Sequence, residues 1–276
     1  MRIAENRDVF VGIDVAFAKK KRLPVSVCHV VGGCLKPLPL GTEFDKPPAG
    51  FGNKAALDPA CRDGFALSVV AWLKKLEAVK ALRIVRIAID APSDYCGEQR
   101  QRRLCERALD GAGISCFATP SKRQFDDKVA AASAHLAAGG AESRMPNANQ
   151  IWMLVGFSLF DRLKLDGRTC IETYPQAIVR QMECVALHKS TEAGFKGQLE
   201  QAAEVTGHQS ADCLGSALAT MGFGSRHDKL DAFLSSWIAS LPAEHEKVFG
   251  SMPDDAIVVP NMKAIRESLL ASGASI

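Results

Sequence analysis

Apolar positions along the chain gather into short continuous runs and longer helical stripes, and their alternation predicts most of the elements. Val9-Phe10-Val11-Gly12-Ile13-Asp14-Val15 reads as a buried strand with an acid at its carboxyl end, before the polar run Ala18 to Arg22. A second strand follows at Pro24 to Val31. Gly32-Gly33 is a hairpin signal, and Cys34 to Leu40 supplies a third strand, which its prolines place at an edge or cut short. The three runs predict an antiparallel meander.

After a Gly- and Pro-rich loop from Gly41 to Asn53, Asp58-Pro59 provides an N-cap and a first-turn proline for a helix to about Lys80. Phe65, Val69, Trp72, Leu73, Leu76 and Val79 form its buried face. Arg83 to Ile89 is another strand, ending in Asp90 and stopped by Ala91-Pro92. The pattern then predicts a helix over Glu98 to Leu109 and a strand over Ile114 to Ala118, leading into Thr119-Pro120-Ser121. Helices over Asp126 to Gly139 and Asn149 to Leu165 read as a helical insertion or cap occupying residues 121–166. Gly167 to Pro175 is a short strand broken by proline, with Glu172 near its end. Three helical stretches, about 175–187, 191–206 and 211–221, precede Gly222-Phe223-Gly224.

That turn opens a helix whose docking stripe is Leu230, Phe233, Leu234, Trp237, Ile238 and Leu241. His227-Asp228-Lys229-Leu230-Asp231 lies at its start, and acids three residues apart share a helix face about a turn apart. Ser225 and Asp228 also fit a capping box, so Asp228 serves either as a cap or as a site acid. Asp231 lies deeper, amid the apolar stripe, where a charge must be paired, solvated or bound to a cation. The tail after Pro242 carries less pattern.

A chain of 276 residues fits one domain, 1–276, with an insertion. Its 34 Lys and Arg against 31 Asp and Glu give a formal charge of +3, so no global basic field announces a nucleic-acid binder, and any such partner must be held locally. The nine cysteines lack CxxC or finger spacing, and Cys28, Cys116 and Cys170 fall in apolar runs, as buried reduced thiols do. The amino terminus is short and charged, and no apolar run approaches the ~20 residues of a membrane span. These features predict a soluble cytoplasmic protein without a membrane partner.

If the strands ending in Asp14 and Asp90 are neighbours, their carboxylates converge at one sheet edge. A helix bringing Asp228 and Asp231 would complete a cluster of four mutually repelling acids. Hard Mg²⁺ or Mn²⁺ resolves such repulsion, and two ions ~3.5–4 Å apart clamp the attacking and leaving oxygens of a phosphodiester. This chemistry uses carboxylates and no protein nucleophile.

Gly12-Ile13-Asp14, Ile89-Asp90-Ala91-Pro92, Thr119-Pro120-Ser121, Glu172-Thr173-Tyr174-Pro175 and His227-Asp228-x-x-Asp231-Ala232 together resemble the DUF429 family of predicted ribonuclease H-like nucleases, over roughly residues 8–240. The resemblance implies an α/β fold of ribonuclease H-like type: a mixed sheet, with a three-strand antiparallel meander plus parallel strands, flanked by helices. It also implies a metal-dependent nuclease acting on RNA or DNA by in-line attack of metal-activated water. Asp14 would be the metal-bridging acid, Asp90 the second ligand, and Asp228 with Asp231 the helical pair. His227 would position water or contact phosphate, or be structural. Glu172 would supply a ligand, bind substrate or fix its strand end.

Phosphate-binding candidates are Lys19, Lys20, Lys21 and Arg22, then Arg100, Arg102 and Arg103, then Lys122 and Arg123; each cluster also reads as a solvated face. The first follows Asp14 most closely. A rival expectation is a non-catalytic module that binds nucleic acid or protein, its acids paired with cations or used as caps. A haloacid-dehalogenase-type phosphatase needs an acid where Ala16 stands, and a sugar-kinase-like ATPase needs a Gly-rich phosphate loop that is not evident. No G-x-S-x-G elbow or placed Cys/His pair supports a serine or cysteine hydrolase.

Overall fold

The computed structural model describes residues 6–183, 189–253 and 255–271. Its centre is a five-stranded mixed sheet. β1 (Arg7–Asp14) pairs antiparallel with β2 (Val25–Val31), which continues through Gly32-Gly33 into β3 (Cys34–Pro37). Both glycines adopt positive φ, as that tight hairpin requires. On its other side β1 pairs parallel with β4 (Leu82–Asp90), and β4 pairs parallel with β5 (Cys170–Thr173), so the order is β3-β2-β1-β4-β5.

Between β3 and β4 come α1 (Leu40–Glu43), α2 (Asn53–Ala56) and α3 (Pro59–Lys80). Asp58 caps α3 by accepting the Ala60 N–H (2.9 Å). Between β4 and β5 come α4 (Leu104–Gly111), α5 (Lys122–Ala137), α6 (Ala148–Ile151) and α7 (Met153–Leu165). After β5 follow α8 (Pro175–Gln181), α9 (Glu192–Val205), α10 (Ala211–Thr220) and α11 (Arg226–Ser240). The chain then forms a hairpin, β6 (Glu246–Ser251) and β7 (Asp255–Pro260), and a helix, α12 (Met262–Ala271).

Strand alternation sorts the sheet into two faces. Val9, Val11, Ile13, Ile87 and Ile89 pack with Phe65, Leu73 and Leu76 of α3 and Phe157 and Phe160 of α7. Phe10, Cys28, Ala88 and Ile171 join the opposite core with Phe233, Leu234, Trp237 and Ile238 of α11. Gly12 belongs to this second face and lies directly under α11. A Cβ there would stand 2.0 Å from the Ala232 carbonyl oxygen and 2.3 Å from the Ser236 nitrogen, so the close seat of α11 requires glycine. Beside it, the hydroxyls of Ser26 and Ser236 lie 3.1 Å apart and fully buried.

Three local expectations are corrected. Residues 98–103 are not helical: α4 starts at Leu104, because the Glu106 carboxylate holds the Arg103 N–H (3.2 Å) and Glu98 is drawn away to accept the Ser121 hydroxyl (2.8 Å). Residues 114–118 form no strand. Their carbonyls are taken by side chains instead of a ladder: Ser115 by the Tyr174 hydroxyl (3.1 Å), Cys116 by the Arg102 guanidinium (2.8 Å) and Ala118 by the Gln150 amide (3.2 Å). The helix over 149–165 is interrupted at Trp152. The last part of the stretch 175–187 lies outside the described residues.

The weakly patterned tail holds the β6–β7 hairpin. It sits against β5, where the Thr173 hydroxyl donates to the Val258 carbonyl (2.9 Å), and Arg86 on β4 pairs with Glu246 on β6. The eight described cysteines are all free, with Cys28 fully buried and Cys116 and Cys170 partly so. Among the described residues no helix is long and apolar enough to cross a membrane.

Candidate metal centre

Asp14 and Asp90 end adjacent parallel strands and are register partners. Registered residues of neighbouring strands share a face. That face is the one Gly12 and Ala88 present to α11, so both carboxylates emerge beside the start of that helix. Asp231, 5% exposed, is carried there on α11 immediately before Ala232, whose carbonyl rests on Gly12.

Burial first, then the negative charges of Asp231 and Asp228, push the Asp14 carboxyl up to about 7. Burial, then Asp14 and Asp231, hold Asp90 well above the ordinary carboxylate range. Burial likewise raises Asp231 against the opposing pull of Lys189. Among the described residues neither Asp14 nor Asp90 has a hydrogen-bond or ion-pair partner for its side chain.

Lys189 was not among the residues singled out from sequence. It precedes α9, and its ammonium is ion-paired with Asp231. Burial pulls its pKa down, but Asp231, Asp90 and Asp14 outweigh that and hold it above the usual lysine value. The protein thus sets the Lys189 ammonium against three carboxylates, and Lys21 adds a weaker pull on Asp14. Among the described residues no three His, Cys, Asp or Glu side chains converge at ligating distance. The donor set is nevertheless all carboxylate oxygen, the set hard divalent ions take, and Lys189 marks where positive charge is attracted.

Asp228 is divided between two tasks. Its carboxylate accepts the Ser225 N–H (2.7 Å) while the Ser225 hydroxyl accepts the Asp228 N–H (3.3 Å), which completes the capping box. It also pairs with Lys21 (3.2 Å). Burial raises its pKa, but the Ser225 hydrogen bonds and Lys21 outweigh burial and leave it lowered. Asp228 is therefore the ionised, satisfied acid at the rim, and Asp14, Asp90 and Asp231 are the strained ones.

Glu172 is a register partner of Ile89, not of Asp90, and so projects to the other face. There it forms a buried bidentate pair with Arg103 (2.7 and 2.9 Å) and accepts the Ser93 N–H (2.8 Å). Burial pushes its carboxyl up against the pull of Arg103, and the two-point geometry is that of an ion pair. His227 packs edge-on against Phe195 of α9 (5.0 Å between centroids), with its buried Nδ1 lacking a hydrogen-bond partner.

Among the basic candidates, Lys19 and Lys20 are exposed in the turn after β1, and Arg22 donates to the Pro47 carbonyl (3.0 Å). The second cluster is largely committed internally. Arg103 is 2% exposed against Glu172, Arg102 binds the Cys116 carbonyl, and Arg100 faces Asp255 (3.4 Å). A guanidinium in a bidentate buried pair is not available to phosphate, so Arg103 leaves that group. Lys122 lies exposed 3.8 Å from Asp126.

Fold and site together define an α/β protein whose carboxylates collect at the carboxyl edge of a mixed sheet, under one docked helix. A family model described as "Protein of unknown function (DUF429)" matches residues 52–256, and the chain belongs to that family. Asp90, Glu172, Asp228 and Asp231 fall within the matched span, while Asp14 and the basic turn after it precede it. No curated protein and no solved structure matches the chain.

Proposed function

We propose that the protein is a divalent-metal-dependent nuclease of ribonuclease H-like type, hydrolysing phosphodiester bonds of RNA or DNA. The observation that carries this reading is the in-register pair Asp14 and Asp90 facing Asp231 across the β1–α11 contact, with raised carboxyl pKa values. The strand order, with a meander on one side of β1 and parallel strands on the other, supports the ribonuclease H-like assignment. Asp14, Asp90 and Asp231 would hold the metal, and Asp228 would join them or steady the rim through its cap. A divalent ion bound there supplies water activation and charge neutralisation for phosphodiester attack. Lys19 and Lys20 attract the nucleic-acid backbone beside Asp14.

A second reading is a non-catalytic binding module on the same fold. The ion pairs Lys189–Asp231 and Lys21–Asp228 favour it, since they are the pairing that such a module predicts. Labelled RNA, DNA and hybrid oligonucleotides with Mg²⁺ or Mn²⁺ separate the two. The nuclease reading expects cleavage by wild type and its loss in folded Asp14→Asn and Asp231→Asn variants. No cleavage, or equal cleavage by the variants, gives the module.

A further inference from the structure

On the β5 side of Asp90 the sheet edge opens into a shallow, largely apolar cleft with about 60 Å³ of space, so a flat ring would rest on its lining rather than enter whole. Phe117, Trp152 and Tyr174 line it, with Met153 and Ile257 completing an apolar floor. Two of the rings are fixed by their polar tips. The Tyr174 hydroxyl donates to the Ser115 carbonyl (3.1 Å), and the Trp152 indole N–H donates to the Asn149 carbonyl (2.9 Å). Phe117 is 62% exposed, in the segment whose carbonyls are taken by side chains. Among the described residues none of the three packs on another aromatic ring.

One polar group at the cleft is unsatisfied. Thr119 is 1% exposed and its N–H is held by Glu106 (2.8 Å), yet its hydroxyl has no partner. Buried hydroxyls are almost always paired, and one that lines a cleft without a partner points to a ligand group. Aromatic faces with one unpartnered hydroxyl, and the carboxylates of Asp90, Glu106 and Glu172 also in the lining, suit a flat, neutral, heteroaromatic ring. They do not suit a phosphate, which needs cationic or N–H donors. Beyond Thr119 the surface continues as a polar groove lined by Gln101, Gln124, Lys128, Asn147 and Gln150, a path for the rest of a strand.

We infer that this cleft takes one unpaired nucleobase of a single-stranded nucleic acid, adjacent to the phosphodiester presented to Asp14, Asp90 and Asp231; the position of the phosphodiester rests on the nuclease reading. A base stacked within a duplex has neither face free, so the cleft selects single-stranded or locally opened substrates.

The test is fluorescence titration of the full chain with oligonucleotides carrying one 2-aminopurine, in EDTA, so that binding is read without cleavage. Single strands are expected to bind with quenching of the stacked base, and the matching duplex is not. Phe117→Ala should weaken single-strand binding ~5- to ~150-fold, the range that one stacked base contributes. Its side chain is largely exposed, so its thermal melt should match wild type. Thr119→Val, which keeps the shape and removes the hydroxyl, should shift binding in the same direction. Absence of single-strand binding, unchanged affinity in Phe117→Ala, or equal quenching by duplex overturns the proposal. Quenching by a protein that cleaves nothing keeps the base site and removes the nuclease reading; cleavage without quenching does the reverse.

Discussion

Asp14 shows what one residue's surroundings dictate. Its folded pKa of about 7 stands above the ordinary 3.8, so between those values the folded protein binds more protons than the unfolded chain. Metal-free stability must therefore fall as pH rises through that window, and Asp90 and Asp231, shifted the same way, add to the slope. At one unit per 1.36 kcal/mol, the full effect at Asp14 is at most about 4 kcal/mol. Urea denaturation in EDTA should show wild type losing stability from pH 4 to 7.5 and Asp14→Asn losing less. Parallel curves would mean that Asp14 is not in conflict with its neighbours. Metal affinity is expected to rise over the same range, because the ligands must shed their protons.

At the scale of elements, the contact between β1 and α11 sets the site. Gly12→Ala would drive a methyl group into the Ala232 carbonyl and the Ser236 amide, backbone atoms that cannot rotate away. A destabilisation of about 3 kcal/mol or more is expected, at the severe end of overpacking, with loss of any metal-dependent activity. A thermal melt of the variant checks it, and a wild-type melting temperature would show that α11 can lift off the sheet. These elements were legible in sequence because a continuous apolar strand and an amphipathic helix each announce themselves by period. Residues 98–103 and 114–118 were not. Their conformations depend on partners distant in sequence, such as Tyr174 for Ser115 and Gln150 for Ala118, which no local pattern encodes.

The whole molecule is held together on the far side of β5 by the Arg103 guanidinium. It pairs with Glu172 of β5 and reaches Asp255 of β7 (3.4 Å), whose carboxylate accepts the Leu104 and Cys105 N–H groups at the start of α4 (2.8 and 3.2 Å). Glu172→Gln should leave that guanidinium partly unpaired, destabilising the fold by about 3–5 kcal/mol, as measured by denaturant midpoint. Metal binding by the folded fraction should be unaffected. A wild-type midpoint with altered metal binding would return Glu172 to the site. In sequence the two partners lie 69 residues apart, and a buried arginine looks the same as its more exposed neighbours Arg100 and Arg102. The strand-end acids were legible, while the pairing that separates Glu172 from them was not.

Lys189 gives the protein a built-in occupant for the negative charge gathered by Asp231, Asp90 and Asp14. Under the proposed function, arrival of the ion becomes an exchange: one cation evicts another, and the free-ion level at which the protein switches on is set by the lysine's grip as much as by the acids' appetite. The evicted ammonium is then at hand, beside the centre, for the next anion to enter.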